Sequence, residues 1–481
     1  MFAPLCLLLS SFFITATFFG ISPQVGFSRD WFVAPYGNPT NEGTETAPFD
    51  LITALVSDRI KPGDTIWIGG GAYKGLFTST LKGAKEKPII VRGIKGSRVT
   101  VDGGLNIQGS HTWVWGLEVT NSEPDRAGER PTGVNCLGQG TRLINLVVHD
   151  CGIGIGFWPS VQDGEVHGCI IYKNGWQGEG GDRGHGHGIY TQNEVGTKRL
   201  LDNIIFDQYG WGIHAYTKKG GIEGFHIEGN IIFNNGSATR QNARYDNILV
   251  GGYTSAERVT ILSNYTYHTP EIEGRNVRLH YTAKNNKNLV CQDNYFSGGS
   301  SVLSVQEWEK VIMKGNILWG KNVLVNMSLP TGVQTGAYLW DQNNYILGDS
   351  EVPFEFGGKK SFADWKKTTG FDGQSTLTIT PKRRPEGLKT FMRLNHYDPA
   401  RAHLAVYNWD RKETVRIDLD AFLKEGEHFR VLSAQNYFAK SVMDGIYEGK
   451  ALMLRMVQEP TGPEFGAFVI EKMFPPAVKV N

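Results

Sequence analysis

The chain has 481 residues, 40% of them hydrophobic, and its 49 Lys+Arg nearly balance 48 Asp+Glu. This supplies a large core and excludes a globally disordered chain, while a formal net charge of +1 gives no overall field for drawing in nucleic acid or an anionic membrane. Glycine is the outlier at 60 residues, about 12% against a usual value of roughly 7%; without a Gly-X-Y period collagen is excluded, and the many Asn, Val and Ile point to a turn-rich all-β protein.

Residues 2–21, FAPLCLLLSSFFITATFFGI, are apolar or small, and the first charge is Arg29. The run is long enough for a signal peptide or a membrane anchor. The small residues around Gly20-Ile21-Ser22 favour a cleaved signal over 1–28, hence a secreted or periplasmic protein with no stable membrane insertion after cleavage. Cys6 falls inside this segment. Cys136, Cys151, Cys169 and Cys291 form no CxxC pair, so buried free thiols are expected rather than a structural zinc.

From residue 145 onward short apolar strands end repeatedly at Asn plus an apolar pair: NLVV from Asn145, NIIF from Asn203 and Asn230, NYTY from Asn264, NYFS from Asn294, NILW from Asn316 and NYIL from Asn344, with Cys169 in the equivalent place in CIIY. The mean step is about 28 residues. A second row keeps step with the first: Val134, Ile155, Ile189, Ile213, Ile248, Val277 and Leu303 lead, and Cys136, Phe157, Thr191, Ala215, Val250, Leu279 and Val305 follow two residues later. Period-2 alternation makes each a strand with one face in a core. Two or three strands per repeat, with no helical stretch between them, describe one turn of a solenoid. Asn recurring once per coil can form an internal amide ladder.

These repeats, with WFVAPYGNPTNEGTETAPF and IKPGDTIWIGGGAYKG ahead of them, resemble the right-handed parallel β-helix of the pectate-lyase-like superfamily over about residues 30–375. The resemblance implies a secreted, carbohydrate-active scaffold of about ten coils, each rising about 4.8 Å. LITALVSDRI is then a short helix capping the open end, and SFADWKKTTGFDGQST resembles a closing segment after the repeat ends near residue 350. The domain reading is a β-helix with its N-terminal cap over 29–375, a linker over 376–385 and a C-terminal β-sandwich over 386–481. The last follows from the alternation of MRLNHYDPARAHLAVYNWDRKETVRIDLDAF.

The core-facing assignment fixes the outward rows. One holds Asn135, Gly156, Tyr190, His214, Leu249, Arg278 and Ser304; the next holds Leu137, Trp158, Gln192, Tyr216, Gly251, His280 and Gln306. A third, nearer the turn, holds Ile153, His187, Trp211, Asp246 and Arg275. An inert solvated face would carry more Thr, Ser, Lys and Glu, whereas this mixture of aromatics, amides, His and Arg suits a polysaccharide cleft. Trp158, His185, Gln192, Trp211, Tyr216, Asp246, His280 and Gln306 are the expected substrate contacts. The insertion WQGEGGDRGHGHGIYTQN brings Glu179, Asp182, Arg183, His185 and His187 to the same side. His185 and His187 point the same way on extended backbone and could hold a divalent metal with Asp246 or His214; no cofactor is otherwise indicated.

β-Elimination from an acidic polysaccharide needs a neutraliser for the uronate carboxylate, a base for the C5 proton and an acid for the leaving oxygen. Arg278 suits the first role, His214 or Lys218 the second and Tyr190 the third, with His187 beside them; the same set serves a C5-epimerase. The carboxylate cluster of calcium-dependent pectate lyases and the Asp trio of polygalacturonase-like hydrolases are missing from these rows, and YDNILVGG loosely resembles the chondroitinase- and alginate-lyase-like pattern. The expectation is a polysaccharide lyase or epimerase, most simply a monomer. A glycoside hydrolase using Glu179, Asp182 or Asp246, or a non-catalytic glycan binder, is the alternative.

Overall fold

The computed structural model describes residues 28–123, 125–178, 184–239, 245–348, 350–380, 384–457 and 460–473. The expected signal segment lies almost wholly outside them, as do Glu179, Asp182 and Arg183. No helix among the described residues is long and apolar enough to cross a membrane.

Residues 30–379 form three sheets of twelve strands each. The chain visits the sheets in rotation, as in Arg142–Ile144, Val147–His149 and Ile155–Phe157, and each strand pairs in parallel with its counterpart one coil away. This is a parallel β-helix. The stack is longer than the repeat suggested, because Asp30–Val33 joins at one end and Thr376–Ile379 at the other. Thr376–Ile379, expected in a linker, instead pairs with Asn344–Leu347 as the last strand of its sheet.

The interior is filled by the alternate residues that the pattern indicated. Val134, Ile155, Ile189, Ile213, Ile248, Val277 and Leu303, with their partners two residues on, are all buried. The four cysteines expected as buried thiols are free and buried. A helix over Leu51–Val56, shorter than LITALVSDRI, starts where Asp50 accepts a hydrogen bond from Thr53 N and buries Leu51, Ala54 and Leu55. At the far end the Phe362–Thr369 helix drives Trp365 fully into the core, where its Nε1 donates to Asp372 at 2.7 Å.

The amide ladder is present. Asn203, Asn230, Asn264, Asn294 and Asn316 each donate from Nδ2 to the next Asn Oδ1, ending on Asn343, at 2.8–3.0 Å. Its two ends differ from the sequence reading by one residue. Asn343 is the last rung, while Asn344 is exposed in the following strand. Asn145 adopts φ +52°, so Leu146 N meets Cys169 in the stack and the Asn145 side chain turns outward to Asn395 at 2.7 Å. A second ladder, not apparent from the repeat, runs Asn235–Asn247–Asn276 with amide contacts of 2.8 and 2.9 Å. It braces the turn immediately before the outward rows.

Beyond residue 387 the chain forms a five-stranded antiparallel sheet and a two-stranded one. All eight residues of Arg401–Asn408 are buried. Ala402, Leu404 and Val406 face the small sheet's Val415, Ile417 and Leu454. Ala405 and Tyr407 face the β-helix, packing with Phe206, Phe233, Tyr267 and Trp319. The C-terminal sheets are therefore seated on the third sheet of the solenoid.

Candidate active site

The site sheet is the one containing Val134–Cys136, Ile155–Phe157, Ile189–Thr191, Ile213–Ala215, Ile248–Val250 and Val277–Leu279. Its register places Asn135, Gly156, Tyr190, His214, Leu249, Arg278 and Ser304 opposite one another in sequence, as the alternation predicted. The third row also aligns: Gly154 N, Gly188 N and Gly212 N donate to the carbonyls of His187, Trp211 and Asp246.

At the centre, His214 Nδ1 lies 3.3 Å from His187 Nε2. The His214 ring is sandwiched between Trp211 (4.4 Å, 10°) and Tyr216 (4.8 Å, 18°) and is 6% exposed. Tyr190 stacks on His187 at 5.4 Å and stands 5.4 Å from His214. Aromatic walls fix both imidazoles while allowing one proton to be shared or passed between them. Burial, reinforced by neighbouring Tyr281, pushes the Tyr216 hydroxyl up to about 12.

One coil onward lies a charged group. Asp246 is fully buried and accepts from Trp211 Nε1 (2.8 Å), Arg275 Nε (3.0 Å) and Arg278 (2.9 Å). Two guanidiniums against one carboxylate leave a surplus of one positive charge, 2 − 1. The Arg278 side chain is only 11% exposed and that of Arg275 is 35% exposed. Burial lowers the Arg278 guanidinium below its ordinary value, with Asp246 opposing; an arginine remains charged regardless. Asp246 is thus committed to positioning two cations. The Asn247 and Asn276 rungs, directly after Asp246 and Arg275, hold their backbone in place.

The flanks carry amides. Trp158 spreads over Gly156, where an added Cβ would meet its Nε1 at 3.1 Å, and turns its edge to Tyr190 at 5.5 Å. Gln192 Nε2 donates to the Tyr190 hydroxyl at 3.3 Å. At the other end Gln306 donates to Asn326, and Asn326 to Glu355, each at 2.8 Å. His280 contacts Ser304 Oγ at 2.9 Å, and burial holds it down to about 4, hence neutral.

Tyr190, His187, Trp211, His214 and Tyr216 gather in one cluster, with Asp246 and Arg278 adjoining through Trp211. Lys218 is exposed on the following turn. His185 stacks on Trp176 (5.2 Å, 10°) in a small hairpin beside the cluster, so its described ring contact is to the hairpin rather than to His187. Among the described residues no three His, Cys, Asp or Glu side chains gather as a metal would need.

Sequence reasoning passed over three contributors. Arg275 stood in the third row but received no role. Tyr245 packs edge-on against Trp211 at 4.6 Å. Lys198, fully buried, donates from Nζ to the carbonyls of Phe157 (2.8 Å), Trp158 and Gln192 (both 2.5 Å), matching its three protons to three acceptors. It fixes the backbone that presents Trp158 and Gln192, and a lone Lys at the start of KRLL gave no signal of this.

No protein-family profile matches the chain. Pectate lyase L of Thermoclostridium stercorarium is 24% identical over 227 residues, 43% of this chain and 18% of that one, so the chain spans under a fifth of that relative's length. Solved structures similar in fold include pectate lyase Pel9A (16% identity, TM-score 0.43, covering 74% of this chain and 78% of that one). An alginate lyase from Paenibacillus sp. str. FPU-7 (16%, 0.40, 68% and 95%) and a glycoside hydrolase (9%, 0.43, 73% and 96%) are also similar. The three parallel sheets make the chain a parallel β-helix, and over 227 residues its sequence is similar to a pectate lyase.

Proposed function

We propose that the chain is an exported enzyme that cleaves a uronate-containing polysaccharide by β-elimination on the outward face of the site sheet. The observation that carries this reading is the adjacency of the His187–His214 pair and Tyr190 to an arginine pair with surplus positive charge. Arg275, with Arg278 behind it, meets the uronate carboxylate and stabilises the charge that develops as the C5 proton leaves. The histidine pair takes that proton, Tyr190 supplies one to the departing C4 oxygen, and the C4–C5 double bond forms. Return of the proton to the opposite face of C5 would make the same residues an epimerase. Trp158, Trp211 and Tyr216 offer faces for sugar rings, and Gln192 and Gln306 bind hydroxyls along the track.

A hydrolase needs two working carboxylates across the scissile bond. Among the described residues of the three central rows, Asp246 is the only carboxylate, and two arginines and a tryptophan engage it. The distinguishing experiment incubates the protein with a panel of acidic polysaccharides, with and without chelator, following unsaturated-uronate absorbance and reducing ends together. Absorbance that rises with reducing ends supports elimination; reducing ends without absorbance would replace it with hydrolysis.

A further inference from the structure

The turns that lead out of the site sheet carry a further group of rings beyond Tyr216. These turns run over residues 192–197, 216–221, 251–255 and 280–286, after Ile189–Thr191, Ile213–Ala215, Ile248–Val250 and Val277–Leu279 respectively. Tyr281 stands edge-on to Tyr216 at 4.9 Å (82°), and Tyr253 lies 5.7 Å from Tyr281 and 6.4 Å from Tyr216. Tyr253 is 54% exposed, yet its turn is pinned on both sides. Its N–H donates to the Thr217 carbonyl at 3.0 Å, Thr254 Oγ1 donates to the Gly220 carbonyl at 2.6 Å, and Ser255 Oγ donates to the Lys284 carbonyl at 2.8 Å. Gly251 and Gly252 let the turn press onto its neighbours, because an added Cβ would come within 2.5 Å of the His280 and Thr217 backbones. The exposed ring therefore projects from fixed backbone.

The rings are continuous with the cleft at two points. Tyr216 stacks on His214 at 4.8 Å, and the Arg278 guanidinium lies 5.1 Å from the centre of the Tyr281 ring. Charge surrounds them. Lys218 and Lys219 follow Tyr216, Lys284 follows Tyr281, and all three are exposed; Glu194 is the one carboxylate among the described residues of these four turns, a surplus of two positive charges, 3 − 1. Tyrosine offers a broad apolar face with little side-chain freedom to lose and a hydroxyl at its rim. Such faces among cations suit sugar rings that carry carboxylates, and a polymer lying in the cleft passes directly onto them. We propose that Tyr253 and Tyr281 form a binding subsite for the uronate unit next to the one that reacts, with Tyr253 as its anchoring ring and the three lysines drawing in the polyanion. The inference rests on the reading of the outward face as a uronate-polysaccharide cleft and extends it by a substrate-length requirement.

The test uses the full chain with His187→Ala, which separates binding from turnover, and affinity electrophoresis through gels containing polygalacturonate or alginate. Adding Tyr253→Ala should weaken retention about tenfold, the scale of one lost aromatic contact, and Tyr253→Phe, which keeps the ring, should restore it. With His187 intact, Tyr253→Ala should raise KM by a similar factor while kcat stays within about twofold, as for binding shared by the ground and transition states. Retention unchanged by Tyr253→Ala, or a fall in kcat at constant KM, would overturn the subsite even where unsaturated product forms. Retention that depends on Tyr253, in a protein that releases reducing ends without absorbance, would keep the subsite and remove the elimination reading. Failure of both polymers to retard the His187→Ala protein would overturn the subsite directly.

Discussion

Two outward faces of the same solenoid carry similar numbers of aromatic rings and serve opposite ends. On the third sheet Phe206 and Phe233 stack at 4.8 Å with Val147, Ile170, Ile204 and Ile231 around them, and the C-terminal sheet covers all of these. Tyr267 there lies flat on Phe465 at 4.6 Å, and its hydroxyl is bonded to Glu464 at 3.0 Å. On the site sheet the rings are Trp, Tyr and His, mixed with Arg, Asn and Gln, and among the described residues no other sheet covers them. Burial of hydrocarbon drives the first face into a permanent contact, whereas polar edges on the second leave a surface suited to a hydrated, charged ligand. The character of the residues between the rings, more than the number of rings, separates a docking face from a cleft.

The largest effects should break this comparison at its two centres. Asp246→Ala removes the carboxylate between two guanidiniums, and loss of one partner from a buried charge group costs about 3–5 kcal/mol. Denaturant unfolding should show that loss together with loss of turnover. Phe465→Ala should cost a similar amount, about 3–5 kcal/mol for a fully buried ring. Its turnover, measured well below the unfolding transition, should be preserved; lost turnover would mean that the docking face contributes to the chemistry.

Acid should weaken both faces. His280 beside the cleft and His167 beneath the C-terminal sheet are both held by burial at about 4. Each has a folded value below the ordinary 6.5, so its contribution is complete above pH 6.5 and is lost as the pH falls through about 4. Unfolding midpoints followed across that window should fall, and His280→Gln should remove part of the slope. The smallest effect belongs to Gly156→Ala. Its methyl group would push on the Trp158 indole at 3.1 Å, raising KM a few-fold with stability unchanged to within about 0.5 kcal/mol.

The site rows were legible because each strand pairs a buried residue with an outward one, and in Ile189-Tyr190-Thr191 and Ile213-His214-Ala215 the alternation leaves no choice of register. The docking face carried its own signal, less easily weighed. Ile204, Ile205 and Phe206 are three apolar residues in a row, the pattern of a strand buried on both sides, and Arg401–Asn408 is another such strand. The union of Arg275 and Arg278 on Asp246 was hidden because it depends on side-chain paths around a turn, which neither period nor spacing records. The ladder ends slipped by one residue because a left-handed residue stands directly before every rung, as Asp202 does before Asn203 and Ser263 before Asn264; Asn145 (φ +52°) occupies that turn position itself, and Gln342 (φ +58°) makes Asn343 rather than Asn344 the rung.

The central claim is that His187 and His214 work as one proton-handling unit. Its most direct test is turnover of an acidic polysaccharide by His187→Ala, His214→Ala and the double variant, all checked for native folding. Each single change should lower turnover about 100- to 10,000-fold, as for loss of a general base, and the double change should add little, because groups acting as a unit are not additive. Losses that multiply, or turnover that survives His214→Ala, would contradict it.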